Sequence, residues 1–212
     1  MPPDALLRKT PLIAILRGLT PARAIVTARA IYESGIRIIE VPLNSPKPFL
    51  SIGRIAEDLG ETSLCGAGTV LGAADVRRAH DAGARLIVAP NTDLEVIAQA
   101  LSLNMLVMPG IATATEAFLA LGAGAGHLKL FPASTYGPAH LRALLSVLPP
   151  HAQLYPVGGI GAAQIASWHQ AGAAGYGLGS ELFSPTYSTS EIRGRAIQIF
   201  TAFRQTRRQQ AG

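Results

Sequence analysis

The segment RLIVAPNTDLEVIAQALSLNMLVMPGIATATEAFLALGAGAGHLKLF, residues 85–131, contains the pattern that decides the fold. Three short apolar runs, centred at 87, 107 and 129, lie about 20 and 22 residues apart, and a helical stretch fills each interval. Asp93 can cap the first helix, and Thr113 with Glu116 can form a capping box on the second. The runs are almost entirely apolar rather than alternating, which is typical of parallel strands buried on both faces.

The same unit recurs along the chain, with a mean spacing of about 23 residues between strand centres. That length accommodates one strand, one helix and two short loops. Eight such units in 212 residues predict an α/β fold, a closed (β/α)8 TIM barrel that occupies residues 1–212 as one compact domain. An open, doubly wound sheet is the alternative, but residues 16–20, LRGLT, lack the glycine-rich turn of a dinucleotide-binding fold. The eight runs are LIAIL (12–16), IRIIEV (36–41), SLCGAG (63–68), RLIVA (85–89), MLVMP (105–109), HLKLF (127–131), QLYPV (153–157) and AGYGLG (174–179).

Composition and charge exclude several classes of protein. With 49% hydrophobic and 15% charged residues, the chain is too apolar to be disordered. The uncharged stretch 96–115 contains polar residues and a Pro-Gly pair, so it is not typical of a membrane span. The N-terminus lacks the apolar segment of a secretory signal, so we expect a cytoplasmic location and no membrane partner. A single cysteine, Cys65, excludes an internal disulfide and a cysteine-based zinc cluster. The net charge is +5, but no basic stripe interleaves with aromatic residues, so no nucleic-acid partner is expected.

Two charged side chains lie within predicted strands and point inward. In such barrels the active site lies at the C-terminal ends of the strands. Strand alternation turns Lys129 in HLKLF and Glu40 in IRIIEV toward the interior. A lysine with little access to water has a lowered pKa, and its free amine can attack a ketone to form a Schiff base. A carboxylate there is costly unless it is paired or used, so Glu40 is a salt-bridge partner, a general acid/base, or both.

Further polar residues follow the predicted strands. Arg17 ends the first strand, and its planar guanidinium suits a carboxylate or phosphate, although a salt bridge at the rim is nearly as good an interpretation. Thr69 could donate a hydrogen bond from its hydroxyl group to a substrate, or it could merely begin the next loop. Gly158-Gly159 and Gly179-Ser180 end the seventh and eighth strands, where backbone N–H groups commonly bind phosphate. The residues therefore predict a phosphorylated oxo-compound, a lysine that forms an imine, and a carboxylate that moves protons. No metal-ligand spacing is found and no cofactor is expected.

Nine short motifs occur in order between Pro11 and Phe183, and together they are specific for one protein family, although each motif alone is not. They are PLIAILRG (11–18), EVPLNSP (40–46), GAGTV (66–70), APN (89–91), PG (109–110), ATATEAF (112–118), LKLFP (128–132), VGG (157–159) and GLGS (177–180). This set resembles the KDPG/KHG aldolase family.

The resemblance implies a class I, metal-free aldolase on a (β/α)8 barrel, commonly a homotrimer, that acts on a small phosphorylated sugar acid. In that family Lys129 matches the Schiff-base lysine, and Glu40 matches the general acid/base. The matching substrate-binding positions are Lys129, Arg17 and Thr69, the last two nearer the oxo-acid end, and Gly159, Gly179 and Ser180 at the phosphate.

Two departures from the gluconate-type members bear on the substrate. Residues 42–45 read PLNS where those members carry Thr-Leu-Arg-Thr, and Val157 stands where they carry threonine. Both are similar to the galactonate type, which implies cleavage of 2-dehydro-3-deoxy-6-phosphogalactonate to pyruvate and D-glyceraldehyde 3-phosphate, with Val157 as a specificity residue. A gluconate-type aldolase, a sugar-phosphate isomerase or epimerase, and a barrel that only binds a phosphate ligand stay open as alternatives.

Overall fold

Strands and helices alternate through residues 3–210, the part of the chain that the computed structural model describes. Among these residues, no helix is both long and apolar enough to cross a lipid bilayer. The strands are β1 (Leu12–Ile15), β2 (Ile38–Pro42), β3 (Leu64–Gly68), β4 (Leu86–Val88), β5 (Leu106–Met108), β6 (Gly110–Ile111), β7 (His127–Leu130), β8 (Gln153–Pro156) and β9 (Tyr176–Leu178). The helices are α1 (Pro3–Lys9), α2 (Ala24–Glu33), α3 (Pro48–Leu59), α4 (Ala73–Asp81), α5 (Leu94–Ser102), α6 (Ala114–Gly122), α7 (Ala133–Leu145), α8 (Ile165–Gln170) and α9 (Thr189–Gln210), with 3₁₀ turns at Pro21–Arg23 and Gly60–Thr62.

The strands form two parallel sheets, in the orders β5-β4-β3-β2-β1-β9 and β6-β7-β8. The α/β class with parallel strands is thereby confirmed, whereas the hydrogen bonds do not form a single ring of eight strands. Strand β5 lies within the run predicted at 105–109, whereas β6 follows that run and was not predicted. Pro109, which has no N–H to donate to a ladder, separates the two strands. The other junction between the sheets is an isolated parallel bridge between Val157 and Gly177.

Side chains from the two faces of the strands form two separate apolar clusters. Leu128 and Leu130 belong to the larger cluster, which lies between the strands and the helices. Ile13 and Ile38 belong to the smaller, inner cluster, and they are partners in the register of β1 and β2. The same alternation places Glu40, two residues after Ile38, on the inner face, as predicted.

Helix α1 packs against the inner cluster through Leu6 and Leu7, so it covers one end of the strands. His127, at the start of β7, joins this contact: its Nε2 lies 3.2 Å from a carboxylate oxygen of Asp4, and its Nδ1 lies 3.3 Å from the hydroxyl of Tyr155. Burial lowers the pKa of His127, and Asp4 opposes that effect. These contacts attach α1 at the end of the strands that is remote from their C-terminal ends.

Two predicted helix caps are present, and they fix where α5 and α6 begin after the preceding strands. The side chain of Asp93 accepts hydrogen bonds from the backbone N–H groups of Glu95 and Val96, at 2.9 and 3.1 Å. Thr113 and Glu116 form the predicted capping box at the start of α6. Each cap stabilises its helix by about 1 kcal/mol. Because α5 and α6 each begin within a few residues of a strand, the loops at those strand ends are short.

Candidate active site

Lys129 lies on β7, on the inner face, opposite Gly110 of β6 and Tyr155 of β8. Only 5% of its surface is exposed. Burial lowers the pKa of Lys129; the carboxylate of Glu40 acts in the opposite direction, and the like charge of Arg17 adds to the lowering. A larger fraction of the amine is therefore unprotonated near neutral pH than in a solvated lysine.

Glu40 lies on β2, opposite Ile15 of β1 and Gly66 of β3, with 1% of its surface exposed. Burial raises the pKa of Glu40, and the charges of Lys129 and Arg17 oppose the rise. The structure thus brings the two residues predicted from strand alternation into one electrostatically coupled pair. A carboxyl group that holds its proton more strongly than usual can act both as an acid and as a base near neutral pH.

Gly68, at the end of β3, makes room for the carboxyl group of Glu40. A Cβ atom built at this position would overlap Oε1 of Glu40. The sequence analysis assigned no role to Gly68, although a glycine inside a buried strand is a signal of close approach by another group. Gly68 therefore belongs to the site as the residue that leaves space for the carboxylate.

Arg17 follows β1, and its guanidinium contacts two other loops. Nη1 donates to Oδ1 of Asn44 at 2.7 Å, and Nη2 lies 3.4 Å from Oγ1 of Thr69. Thr69 has a backbone φ of 55°, in the left-handed region, directly after β3. In the next turn, the backbone N–H of Gly18 donates to Oγ of Ser45 at 2.9 Å. The structure brings together Arg17 and Thr69, as expected, and adds Asn44 and Ser45.

A cavity of about 360 Å³ opens beside Lys129. Its lining includes Arg17, Lys129, Val157, Gly159 and Ser180. Glu40 and Thr69 are not among the described residues that line this cavity. The charge of Glu40 nevertheless acts on Lys129 and Arg17, and Thr69 contacts Arg17. A larger cavity of about 820 Å³, near Tyr32, Arg37 and Phe200, contains none of the predicted site residues.

The glycine-rich loops form the other wall of the cavity. Gly158 and Gly159 have φ values of 108° and 70°, which glycine adopts without steric cost. The carbonyl of Gly179 accepts hydrogen bonds from the N–H groups of Leu182 and Phe183, at 2.9 and 3.0 Å, so the chain turns directly after β9. Backbone turns of this kind can direct N–H groups at an anion.

Val157 lines the cavity between Lys129 and these loops, and it has space because residue 177 is glycine. A Cβ atom at Gly177 would lie 2.5 Å from Cγ2 of Val157 and 3.2 Å from Cδ1 of Ile15. Ile15 also lines the cavity, and because both side chains are hydrocarbons, Ile15 and Val157 form an apolar wall that offers no side-chain hydrogen-bond donor.

Comparison with known proteins identifies the family of the chain. A family model described as KDPG and KHG aldolase matches residues 4–193. The chain belongs to this aldolase family. The resemblance based on the nine motifs is thereby confirmed.

A curated relative and two solved structures are similar to most of this chain. The 2-dehydro-3-deoxy-6-phosphogalactonate aldolase of Escherichia coli (strain K12) is 45% identical over 197 residues, which cover 93% of this chain and 96% of the relative. A solved structure described as native KDPGal superposes with a TM-score of 0.93 at 44% identity, covering 94% of this chain and 97% of that one. A designed cube-shaped cage, made by fusing symmetric oligomeric domains, superposes with a TM-score of 0.94 at 44% identity, covering 96% of this chain and 75% of that one.

The site of this aldolase-family chain combines a desolvated amine, a carboxyl group and loops that can hold an anion. Such a set can form an imine with a ketone and move protons at the neighbouring carbons. Between residues 3 and 210, no group of three or more His, Cys, Asp or Glu side chains is placed to hold a metal ion.

Proposed function

We propose that this protein is a class I aldolase that cleaves 2-dehydro-3-deoxy-6-phosphogalactonate to pyruvate and D-glyceraldehyde 3-phosphate. The observation that carries the proposal is the burial of both Lys129 and Glu40, with Lys129 at the wall of a cavity that extends to two glycine-rich loops. The relative from Escherichia coli, whose name states this substrate, supports the choice of substrate. Detection of pyruvate released from the galactonate and gluconate epimers, compared side by side, tests it.

The proposed reaction begins when the Lys129 amine attacks carbon 2 of the substrate. Glu40 transfers protons while the carbinolamine loses water and becomes an iminium ion. Glu40 then accepts the proton of the carbon-4 hydroxyl, the bond between carbons 3 and 4 breaks, and its electron pair passes into the iminium to form an enamine. Glyceraldehyde 3-phosphate leaves. Protonation of carbon 3 and hydrolysis of the imine release pyruvate and restore the lysine.

The remaining site residues are proposed to bind the two charged ends of the substrate. Arg17, held beside Thr69, is close enough to Lys129 to affect its pKa, which suits the carboxylate attached to the carbon that Lys129 attacks. Gly159, Gly179 and Ser180 lie on the loops that follow β8 and β9, where backbone N–H groups suit the phosphate.

We also propose that residues 1–212 form one domain and that its two sheets make one closed barrel of eight strands. Only Pro109 separates β5 from β6, and its carbonyl accepts a hydrogen bond from the N–H of Lys129 at 2.9 Å. The bridge between Val157 and Gly177 connects β8 to β9 at the other junction.

A homotrimer is proposed from the family resemblance, with support from the cage that is built of symmetric oligomeric domains. The cytoplasmic location stays a prediction.

Replacement of Gly68 by alanine is expected to lower kcat for aldol cleavage by about 10²-fold, because the new methyl group displaces the Glu40 carboxylate from Lys129. Steady-state pyruvate release measures the effect, and thermal melting confirms that the variant is folded. Gly72→Ala is the matched control: a Cβ atom there meets nothing within 4 Å, and its φ of −164° suits any residue. Wild-type kcat in Gly68→Ala would show that the position of Glu40 does not matter.

Replacement of Val157 by threonine is expected to shift the ratio of kcat/KM for the two carbon-4 epimers toward the gluconate form by about 10-fold. The reason is the hydroxyl group that threonine adds to an apolar wall beside the reacting carbons. Paired assays on both epimers measure the ratio. Val147→Thr, at a position that is 58% exposed and outside the cavity lining, is the control. An unchanged ratio would remove Val157 from the specificity residues.

A further inference from the structure

Arg17 is held by neutral groups from two different loops. Its Nη1 donates to the side-chain carbonyl of Asn44 at 2.7 Å, and its Nη2 lies 3.4 Å from the hydroxyl of Thr69. The loop that carries Asn44 is itself joined to the backbone of the Arg17 loop, because the N–H of Gly18 donates to Ser45 at 2.9 Å. A long, exposed side chain that would otherwise sample many rotamers is thus held in one orientation.

The neutrality of these partners distinguishes Arg17 from several other arginines on the surface. Arg29, Arg78 and Arg193 each pair with a carboxylate, which compensates the positive charge. Asn44 and Thr69 fix the direction of the guanidinium but leave its charge uncompensated by a direct ion pair. The N–H groups that it does not use for them have no acceptor among residues 3–210 and can bind an anion.

We propose that Asn44 is a positioning residue that aims Arg17 at the carboxylate of the 2-oxo acid. This inference rests on the proposed function, because it assumes that Lys129 forms an imine with that acid. The carboxylate is bonded to the carbon that Lys129 attacks, and Arg17 lines the same cavity as Lys129. Asn44 has no part in the chemistry and acts through Arg17 alone.

The test measures how fast borohydride traps pyruvate on the protein as the pyruvate concentration is varied. Asn44→Ala is expected to raise the half-saturating pyruvate concentration by about 5- to 10-fold, with the maximal trapping rate within about twofold of the wild type. Asn44→Asp keeps an acceptor for Arg17 but adds a negative charge beside it, so it is also expected to weaken pyruvate binding. Because Asn44 is exposed, both variants are expected to melt near the wild-type temperature.

A double-mutant cycle with Arg17→Ala separates positioning from other effects. If Asn44 acts through Arg17, adding Asn44→Ala to Arg17→Ala changes the half-saturating concentration by less than about twofold. The inference is wrong if the two substitutions multiply each other's effect on the half-saturating concentration in the double variant. It is also wrong if Asn44→Ala or Asn44→Asp binds pyruvate as tightly as the wild type. A wild-type protein that is not trapped at all would overturn the proposed function and this inference with it, so the two failures are distinguishable.

Discussion

Lys129→Ala is expected to abolish both aldol cleavage and the covalent trapping of pyruvate by borohydride. The proposed reaction passes through an imine at this amine, and alanine offers no nucleophile in its place. The chain has three lysines, Lys9, Lys47 and Lys129, so peptide mass spectrometry can assign the labelled residue without ambiguity. In the wild type, we expect a single pyruvate adduct on the peptide that contains residue 129.

The control for this experiment is Lys9→Ala, in helix α1, which is exposed and outside the cavity beside Lys129. It should retain full labelling and cleavage. Thermal melting of Lys129→Ala should show a folded protein, because the substitution removes a desolvated amine from the inner face. Persistent labelling of the alanine variant would contradict the assignment of the lysine. A wild-type protein that converts sugar phosphates without any trapping would favour the isomerase or epimerase alternative, since that chemistry needs no imine.

The repeating unit of the fold was predictable because it depends on local patterns. Apolar runs identified every strand given above except β6, and Asp93 and Thr113 identified two helix starts, since caps act within a few residues. Strand β6 was missed because its two residues, Gly110 and Ile111, directly follow Pro109 and are too few to form an apolar run. The role of α1 was not predictable, because the burial of Leu6 and Leu7 depends on a space that only the assembled strands create. For the same reason, the spacing of the runs does not determine how the two sheets join.

The residues of the site also divide into those that the sequence predicted and those that it did not. Strand alternation was enough to place Lys129 and Glu40 on the inner face, because a charged residue in an apolar strand is conspicuous. Asn44 and Ser45 belong to the segment 42–45 that the family resemblance singled out, but polar residues in a loop are ordinary and the sequence did not indicate what they contact. Their contacts with Arg17 and Gly18 span 27 residues of sequence and depend on how the loops after β1 and β2 meet. Gly68, inside a buried strand, indicated that another group approaches closely, but the sequence did not show that this group is Glu40 on the neighbouring strand.

Glu40→Gln is expected to lower kcat for cleavage by about 10²- to 10⁴-fold, because the amide has nearly the same shape but cannot move a proton. Gly68 leaves the same space for either side chain, so the fold and the cavity should be retained. Exposed Glu95→Gln, in α5, is the matched control and should have wild-type kcat. A Glu40→Gln variant that cleaves at the wild-type rate would restrict Glu40 to a structural charge partner of Lys129.

Trapping of pyruvate by the same variant separates the two roles of the carboxylate. Loss of the negative charge lets the pKa of Lys129 fall further, since Glu40 is the group that raises it. The amine is then unprotonated down to a lower pH, so the pH dependence of labelling should move toward acid. Labelling should nevertheless be slower than in the wild type, because the carbinolamine loses water with the help of Glu40, and it should finally reach the same extent. A slower reaction with an acid-shifted profile therefore requires Glu40 both as a charge partner of Lys129 and as the group that moves protons.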